Sequence, residues 1–136
     1  MADYTLTATL DRPYAEAVDD VRRELAEVGF GILSEIDLAG TLKKKLGVDV
    51  APQVILGACR PQLAHQALAA DPSIAALLPC NVVVRAVDER TTIVEAFDPQ
   101  AMIAFAGDTG HGLRAVADDA RQRLTAALAA LTGEGH

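Results

Sequence analysis

The fold of this 136-residue chain is decided by one stretch, residues 53–81, which reads QVILGACRPQLAHQALAADPSIAALLPCN. Its first part, Gln53–Cys59, holds Val, Ile and Leu in succession without alternation, the pattern of a strand covered on both faces at the centre of a sheet. Pro61 follows where a first helical residue would lie, and Pro72 follows an aspartate that can cap a second helix. Two short helices therefore connect this strand to the next, which opens at Cys80.

The two-helix connector sets the relative direction of the strands on either side of it. One helix going out and one coming back return the chain to the end it left, so the two strands run antiparallel. A single crossover helix would instead give parallel strands and leave Cys59 and Cys80 about 17 Å or more apart. We predict the first arrangement, with both cysteines near one rim of the sheet. Because hydrogen-bonded strands are about 4.8 Å apart, adjacent strands would bring the two residues within reach of a disulfide.

The chain on either side of this stretch mixes hairpin and crossover connections. No linker, internal repeat or low-complexity block divides it, so residues 1–136 are expected to form one domain. We predict an α+β fold, a single domain with an about five-stranded mixed or antiparallel sheet, helices packed on it, and the order β-α-β-α-β-αα-β-β-α. The flanking elements are strands at Tyr4–Leu10 and Phe30–Ile36, a long helix that Asp11 caps and Gly29 ends, a short helix that Asp37 caps and Gly47 ends, a hairpin of Asn81–Val87 and Thr91–Phe97, a helical turn opened by Asp98-Pro99, and a last helix from about Gly112 to Leu131.

The composition is that of an acidic globular protein. The chain is 51% hydrophobic and 23% charged, and 12 Lys and Arg against 19 Asp and Glu give a net charge of −7. Such a charge repels a phosphate backbone, and the one basic run, residues 43–45, is typical of a solvated helix face. No stretch reaches the about 18 uninterrupted apolar residues of a membrane span, and the first residues lack a basic region followed by an apolar run. We therefore expect a cytoplasmic protein that binds neither nucleic acid nor membrane.

Cys59 and Cys80 are the first candidates for chemistry. In a reducing cytosol, two cysteines are free, metal-binding or redox-active rather than a structural bridge. Cys59 lies just before a helix N-terminus, which favours a thiolate, and Arg60 adds a positive charge, so the pKa of Cys59 is predicted to be depressed. The alternative is a small buried hydrophobe at a strand end.

Other polar residues offer weaker signals. Asp37 and Asp98 lie at strand ends, where binding residues often collect, and complete the candidate site of Cys59, Arg60 and Cys80. The three histidines stand in no metal-binding spacing, so metal ligands stay unknown and no cofactor is indicated. The glycine-rich run at residues 107–112 could hold an anion on its backbone amides or be a flexible loop that ends in a helix cap.

These motifs resemble the family catalogued as domain of unknown function 302. The resemblance covers roughly Tyr4 to Leu131 and implies a small α+β domain, often dimeric, with no established reaction; in some relatives it implies an association with sulfur metabolism. Relatives often carry Asn where this chain has Arg60, so the chain departs from the family's pattern there. On this resemblance we expect a homodimer. The segments that carry it are Gly29-Phe30, Leu56–Pro61, Asp71-Pro72, Leu78–Asn81 and Asp98-Pro99.

Two functions of different classes remain open. The first is non-catalytic binding of a small ligand, a metal or a partner at a rim near Cys59 and Cys80. The second is a thiol-dependent redox or sulfur-carrier protein, with Cys59 as nucleophile and Cys80 as resolving or supporting thiol. No recognisable base accompanies the nucleophile, which favours the first. Catalytic residues are unknown, and so is the identity of any small-molecule ligand.

Overall fold

The structure is a computed structural model that describes residues 3–106 and 111–133. Its element order confirms the predicted α+β fold, with the two connector helices present as one α-helix and one 3₁₀ helix. The elements are β1 (Thr5–Leu10), α1 (Tyr14–Glu27), β2 (Gly31–Asp37), α2 (Leu38–Leu46), β3 (Gln53–Cys59), α3 (Pro61–Ala70), the 3₁₀ helix (Pro72–Leu77), β4 (Cys80–Ala86), β5 (Thr92–Phe97), α4 (Gln100–Ala106) and α5 (His111–Thr132). The glycine-rich run at residues 107–110 and His136 lie outside the described residues.

In the described residues the strands form one sheet in the order β1-β5-β4-β3-β2. All four neighbouring pairs are antiparallel, which decides between the mixed and antiparallel alternatives. The middle strand is β4, so the expectation that Gln53–Cys59 lies at the sheet centre is wrong by one strand. Val54 and Leu56 are buried beneath the helices, but Ile55 lies on the other, only partly buried face, so the unbroken apolar run does not reflect a strand covered on both faces.

The long helices α1 and α5 pack on the same face of the sheet, as their apolar faces predict. Alternate strand residues point into this layer, among them Leu56 in β3, Val84 in β4 and Val94 in β5, each fully buried. They share one hydrophobic cluster with Val21 of α1 and Leu124 of α5. Burial of aliphatic side chains from both layers stabilises the domain, since the chain has few aromatic residues.

The opposite face of the sheet, here called the open sheet face, is only partly buried. The alternate strand residues that form it include Thr7, Ile55, Val83, Arg85, Ile93 and Glu95. Near its middle, Arg85 Nη2 donates to Glu95 Oε1 at 2.7 Å. The side chains of Arg85 and Glu95 thus neutralise each other on a face whose other side chains are aliphatic, hydroxyl, amide or aromatic and carry no charge.

The ends of the shorter helices follow local signals in the sequence. The Asp37 side chain accepts from Gly40 N at 2.9 Å and begins α2, which ends at Gly47 with φ +70°. The Asp71 side chain accepts from Ser73 N at 3.0 Å and begins the 3₁₀ helix. The prediction for Asp11 is wrong, because α1 has Pro13 as its N-cap residue with no side-chain cap bond. The extended backbone of the proline itself starts that helix.

A glycine in β3 is required by close packing, and its replacement is a direct test of this sheet geometry. A Cβ on Gly57 would overlap Ser34 Oγ and lie 2.9 Å from Pro79 Cγ, whereas a Cβ on Gly31 would meet only Cys59 O, at 3.8 Å. Overpacking of this kind costs about 1–3 kcal/mol. We expect Gly57→Ala to lower the free energy of unfolding by that amount in urea denaturation and Gly31→Ala to leave it nearly unchanged. Equal stability of the two variants would contradict the register.

Candidate functional site

The two cysteines lie at the same end of neighbouring strands. In the β3–β4 pair, Ala58 is the register partner of Cys80, and in the β2–β3 pair, Gly31 is the partner of Cys59. The prediction that the two-helix connector returns the chain to the rim it left is therefore confirmed. This rim also receives the end of β5, because Val82 pairs with Ala96.

The register separates the two thiols by one residue. Cys80 stands opposite Ala58, so Cys59, the last residue of β3, is offset from Cys80 by one residue along the strand. Both cysteines are free, Cys80 being buried and Cys59 partly exposed. Cys59 and Cys80 therefore lie at the ends of adjacent strands but form no disulfide.

Burial raises the pKa of both thiols. The pKa of Cys59 is raised by desolvation, so the expectation of a depressed value is wrong. For Cys80, desolvation is the larger cause and the nearby Cys59 charge the smaller, and together they raise the pKa to about 11. Loss of water around a thiolate raises its pKa because burial disfavours the charged form. At neutral pH both sulfurs are therefore thiols.

A small cavity, here called the rim pocket, lies beside these strand ends. Its volume is about 30 Å³, and its walls are apolar apart from the two cysteines and Arg60. About 10–15 Å³ is needed to hold one water, so the rim pocket can take about two water-sized groups. It is lined by Phe30, Ala58, Cys59, Arg60, Leu63, Ala64, Ala67, Leu78, Cys80, Met102, Val116 and Ala120.

Arg60 supplies a polar atom to this apolar setting. Its Nε is buried and has no hydrogen-bond partner among the described residues. The side chain runs back over the turn between α1 and β2, where an ideal Cβ on Gly29 would lie 3.0 Å from Nε. Gly29 has a φ of +88°, a left-handed conformation that glycine adopts without strain, so this turn both needs glycine and leaves room for the arginine.

Asp37 does not join the cysteines. It ends β2 at the opposite rim, where it caps α2 and lines a separate groove of about 570 Å³ with Tyr14 and Glu35. Desolvation, and secondarily the charge of Asp37, raises the pKa of Tyr14. Arg22 forms an ion pair with Glu35 at this groove. The structure therefore separates Asp37 from Cys59, Arg60 and Cys80.

Asp98 lies at the same rim as the cysteines, but its carboxylate makes structural contacts to α4 and α5. Its side chain accepts from Gln100 N at 3.0 Å and so begins α4. The same carboxylate forms an ion pair with Arg121 of α5 at 3.2 Å. Asp98 is not among the residues that line the rim pocket.

Several lining residues could not be assigned to a site from the sequence. Met102, Val116 and Ala120 come from α4 and α5, whose apolar spacing indicates a buried face but does not indicate a cavity.

Within residues 3–106 and 111–133, no three or more His, Cys, Asp or Glu residues are grouped so that they could hold a metal ion. In the same part of the chain, no helix has the length and apolarity to cross a membrane.

Comparisons with known proteins agree on one family. The model of the family described as domain of unknown function DUF302 matches residues 6–131. The chain is similar to the crystal structure of an uncharacterized conserved DUF302 protein from Bacillus stearothermophilus, with 26% identity, a TM-score of 0.81, and coverage of 99% of this chain and 100% of that one. No curated protein matches the chain.

The raised pKa values predict slow thiol chemistry. With its pKa near 11 instead of 9.0, Cys80 carries about 100-fold less thiolate at pH 8 than an exposed cysteine. We expect iodoacetamide to modify Cys80, measured in Cys59→Ser, at least 100-fold more slowly when folded than in urea, with a rate that rises up to about pH 11. Cys59, measured in Cys80→Ser, should react faster than Cys80 because it is more exposed. Either thiol reacting faster in the folded than in the unfolded protein at pH 7 would contradict the assignment.

Proposed function

The chain belongs to the family described as domain of unknown function DUF302, and we propose that it is a non-catalytic domain that binds a small ligand at the rim pocket beside Cys59, Cys80 and Arg60. The observation that carries this proposal is the buried Arg60 Nε without a hydrogen-bond partner. Buried polar groups are nearly always paired, and an unpaired donor costs about 1–3 kcal/mol. A ligand with an acceptor atom would remove that cost on binding.

The walls of the rim pocket fit this role. Small-molecule sites are mostly apolar with a few placed polar groups, and here Leu63, Met102 and Val116 line the cavity together with one arginine. The cavity is far below the about 300–1,000 Å³ of a site that encloses a drug-sized ligand. The proposed ligand therefore inserts only a small end into the rim pocket and leaves the rest at the surface.

The lining residues support binding over catalysis. Neither histidine nor a carboxylate is among the described residues that line the rim pocket, so no side chain there is placed to act as a general base. The pKa of each thiol is raised, so neither is an activated nucleophile at neutral pH.

The thiol-dependent redox or sulfur-carrier function is the second candidate. Its support is the position of Cys59 and Cys80, two free cysteines at one end of neighbouring strands. Transfer between them would need the two sulfurs to approach, and the strand register offsets the two cysteines by one residue without a disulfide between them. The location in the cytoplasm and the absence of nucleic-acid binding stay predictions from the sequence.

Ligand binding at the rim pocket is tested by filling it. We expect a panel of two- to four-carbon alcohols, amides and carboxylates to contain compounds that shift the amide resonances of Ala58, Ala67 and Ala120 saturably in ¹H–¹⁵N NMR titrations. Ala64→Leu, on the partly buried side of α3, should weaken this binding at least tenfold because the longer side chain occupies the cavity.

The matched control is Ala69→Leu, an exposed position on the same helix that does not line the cavity. It should bind as the unaltered chain does. Absence of saturable shifts with every compound would refute the proposal, and so would equal binding by Ala64→Leu and the control.

We also propose that the expected homodimer forms through the open sheet face. The chain carries a net charge of −7, and two copies repel unless their contact surface is neutral. The open sheet face meets this condition, since Arg85 pairs with Glu95 and the neighbouring Ile55, Val83 and Ile93 are aliphatic. Five strands about 4.8 Å apart and about 20 Å long give a footprint of roughly 500 Å², which needs loop contacts to reach the about 800 Å² per partner of a stable interface.

The dimer is tested by sedimentation equilibrium. We expect a mass of twice the 14.3 kDa of the chain at micromolar concentration, and a shift to the monomer in Val83→Lys, which places an unpaired charge on the open sheet face. Leu68→Lys, at an exposed position of α3 in the helical layer, is the control and should stay dimeric. A mass near 14.3 kDa for the unaltered chain at all micromolar concentrations would refute the proposal.

A further inference from the structure

A second guanidinium lies beside Arg60. The same ideal Cβ on Gly29 that would lie 3.0 Å from Arg60 Nε would lie 3.9 Å from Arg123 Nη1. The two side chains come from different elements, the N-cap of α3 and the middle of α5. Two like charges near one glycine repel each other, and Asp119 beside Arg123 offsets only one of the two.

The charges near these two arginines are not balanced. Arg123 Nε donates to Asp119 Oδ1 at 2.6 Å, and its Nη1 donates to Val28 O at 3.1 Å. Arg60 forms no side-chain hydrogen bond or ion pair with the described residues, although Arg85 and Arg121 each pair with a carboxylate. In so acidic a chain, an arginine without a carboxylate beside a cavity is an available anion-binding group.

The start of α3 adds to the positive potential. The helix has ten residues, begins at Pro61, and has no side-chain cap and no acidic residue in its first turn. Its N-terminal partial charge is therefore not compensated by a side chain of this helix. The positive potential at the start of α3 adds to the attraction of Arg60 for an anion. It does not define a binding site by itself.

We propose that the ligand of the rim pocket is a short-chain organic carboxylate, whose carboxylate is bound by Arg60 beside Arg123 and whose apolar end of about two carbons enters the cavity. This inference rests on the proposed function. The forked guanidinium matches the two oxygens of a carboxylate, with Nε–H as one of the donors. The cavity of about 30 Å³ admits about two small groups, and its apolar walls exclude a second charged group.

The inference is tested by titrating the full chain with propionate, with its neutral analogues propionamide and 1-propanol, and with inorganic phosphate, followed by ¹H–¹⁵N NMR. Propionate should bind saturably and at least tenfold more tightly than either neutral analogue. Arg60→Gln should reduce propionate affinity about 10- to 100-fold, and Arg60→Lys should bind between the two, because it keeps the charge and loses the fork. Arg90→Gln, which removes an exposed arginine from the β4–β5 turn, is the control and should bind propionate normally.

The outcomes separate this inference from the proposed function. If 1-propanol binds at the rim pocket as tightly as propionate and Arg60→Gln has no effect, the carboxylate class is refuted and the binding site stands. If phosphate binds as tightly as propionate, the apolar end plays no part and the carboxylate class is again refuted. If Ala64→Leu leaves propionate binding unchanged, or no compound binds, both the inference and the proposed function are refuted.

Discussion

The antiparallel pairing of β3 with β4 is the constraint on which the rest of the rim depends. Its register places Ala58 opposite Cys80, so the end of one strand, the start of the next and the beginning of α3 meet at one edge of the sheet. The connector of α3 and the 3₁₀ helix makes this pairing possible, because it carries the chain away from that edge and back. The rim pocket exists because α3, α4 and α5 cover the edge without filling it.

The same burial that builds the rim decides its chemistry. Apolar walls keep both thiols protonated at neutral pH, so the two cysteines act as small apolar groups with weak hydrogen-bonding ability. Arg60 responds differently, because its guanidinium stays charged in proteins. A low-dielectric wall next to a permanent cation strengthens the attraction for an anion. The binding role that we propose rests on this contrast, with Arg60 as its polar contact.

Local signals in the sequence predicted much of the fold, and tertiary contacts account for what they missed. Asp37 and Gly47 bound α2 as expected because caps depend on a few neighbouring residues. The predicted thiolate at Cys59 is wrong because burial raises the pKa of this thiol, and burial depends on the helices packed around it. The neighbourhood of Arg60 and Arg123 could not be predicted, since these residues are far apart in the chain and meet only over the turn at Gly29. The spacing of residues along the sequence does not predict that these two side chains lie close together.

Arg60 Nε–H is a buried donor without a hydrogen-bond partner, and we propose that a ligand supplies the acceptor. The most direct measurement is the ¹H and ¹⁵N resonance of this group in the full chain, with and without saturating propionate. We expect a downfield proton shift and slower exchange with water when propionate is present, with no comparable change at Arg90. An Arg60 Nε–H resonance that does not move at saturating propionate would contradict it.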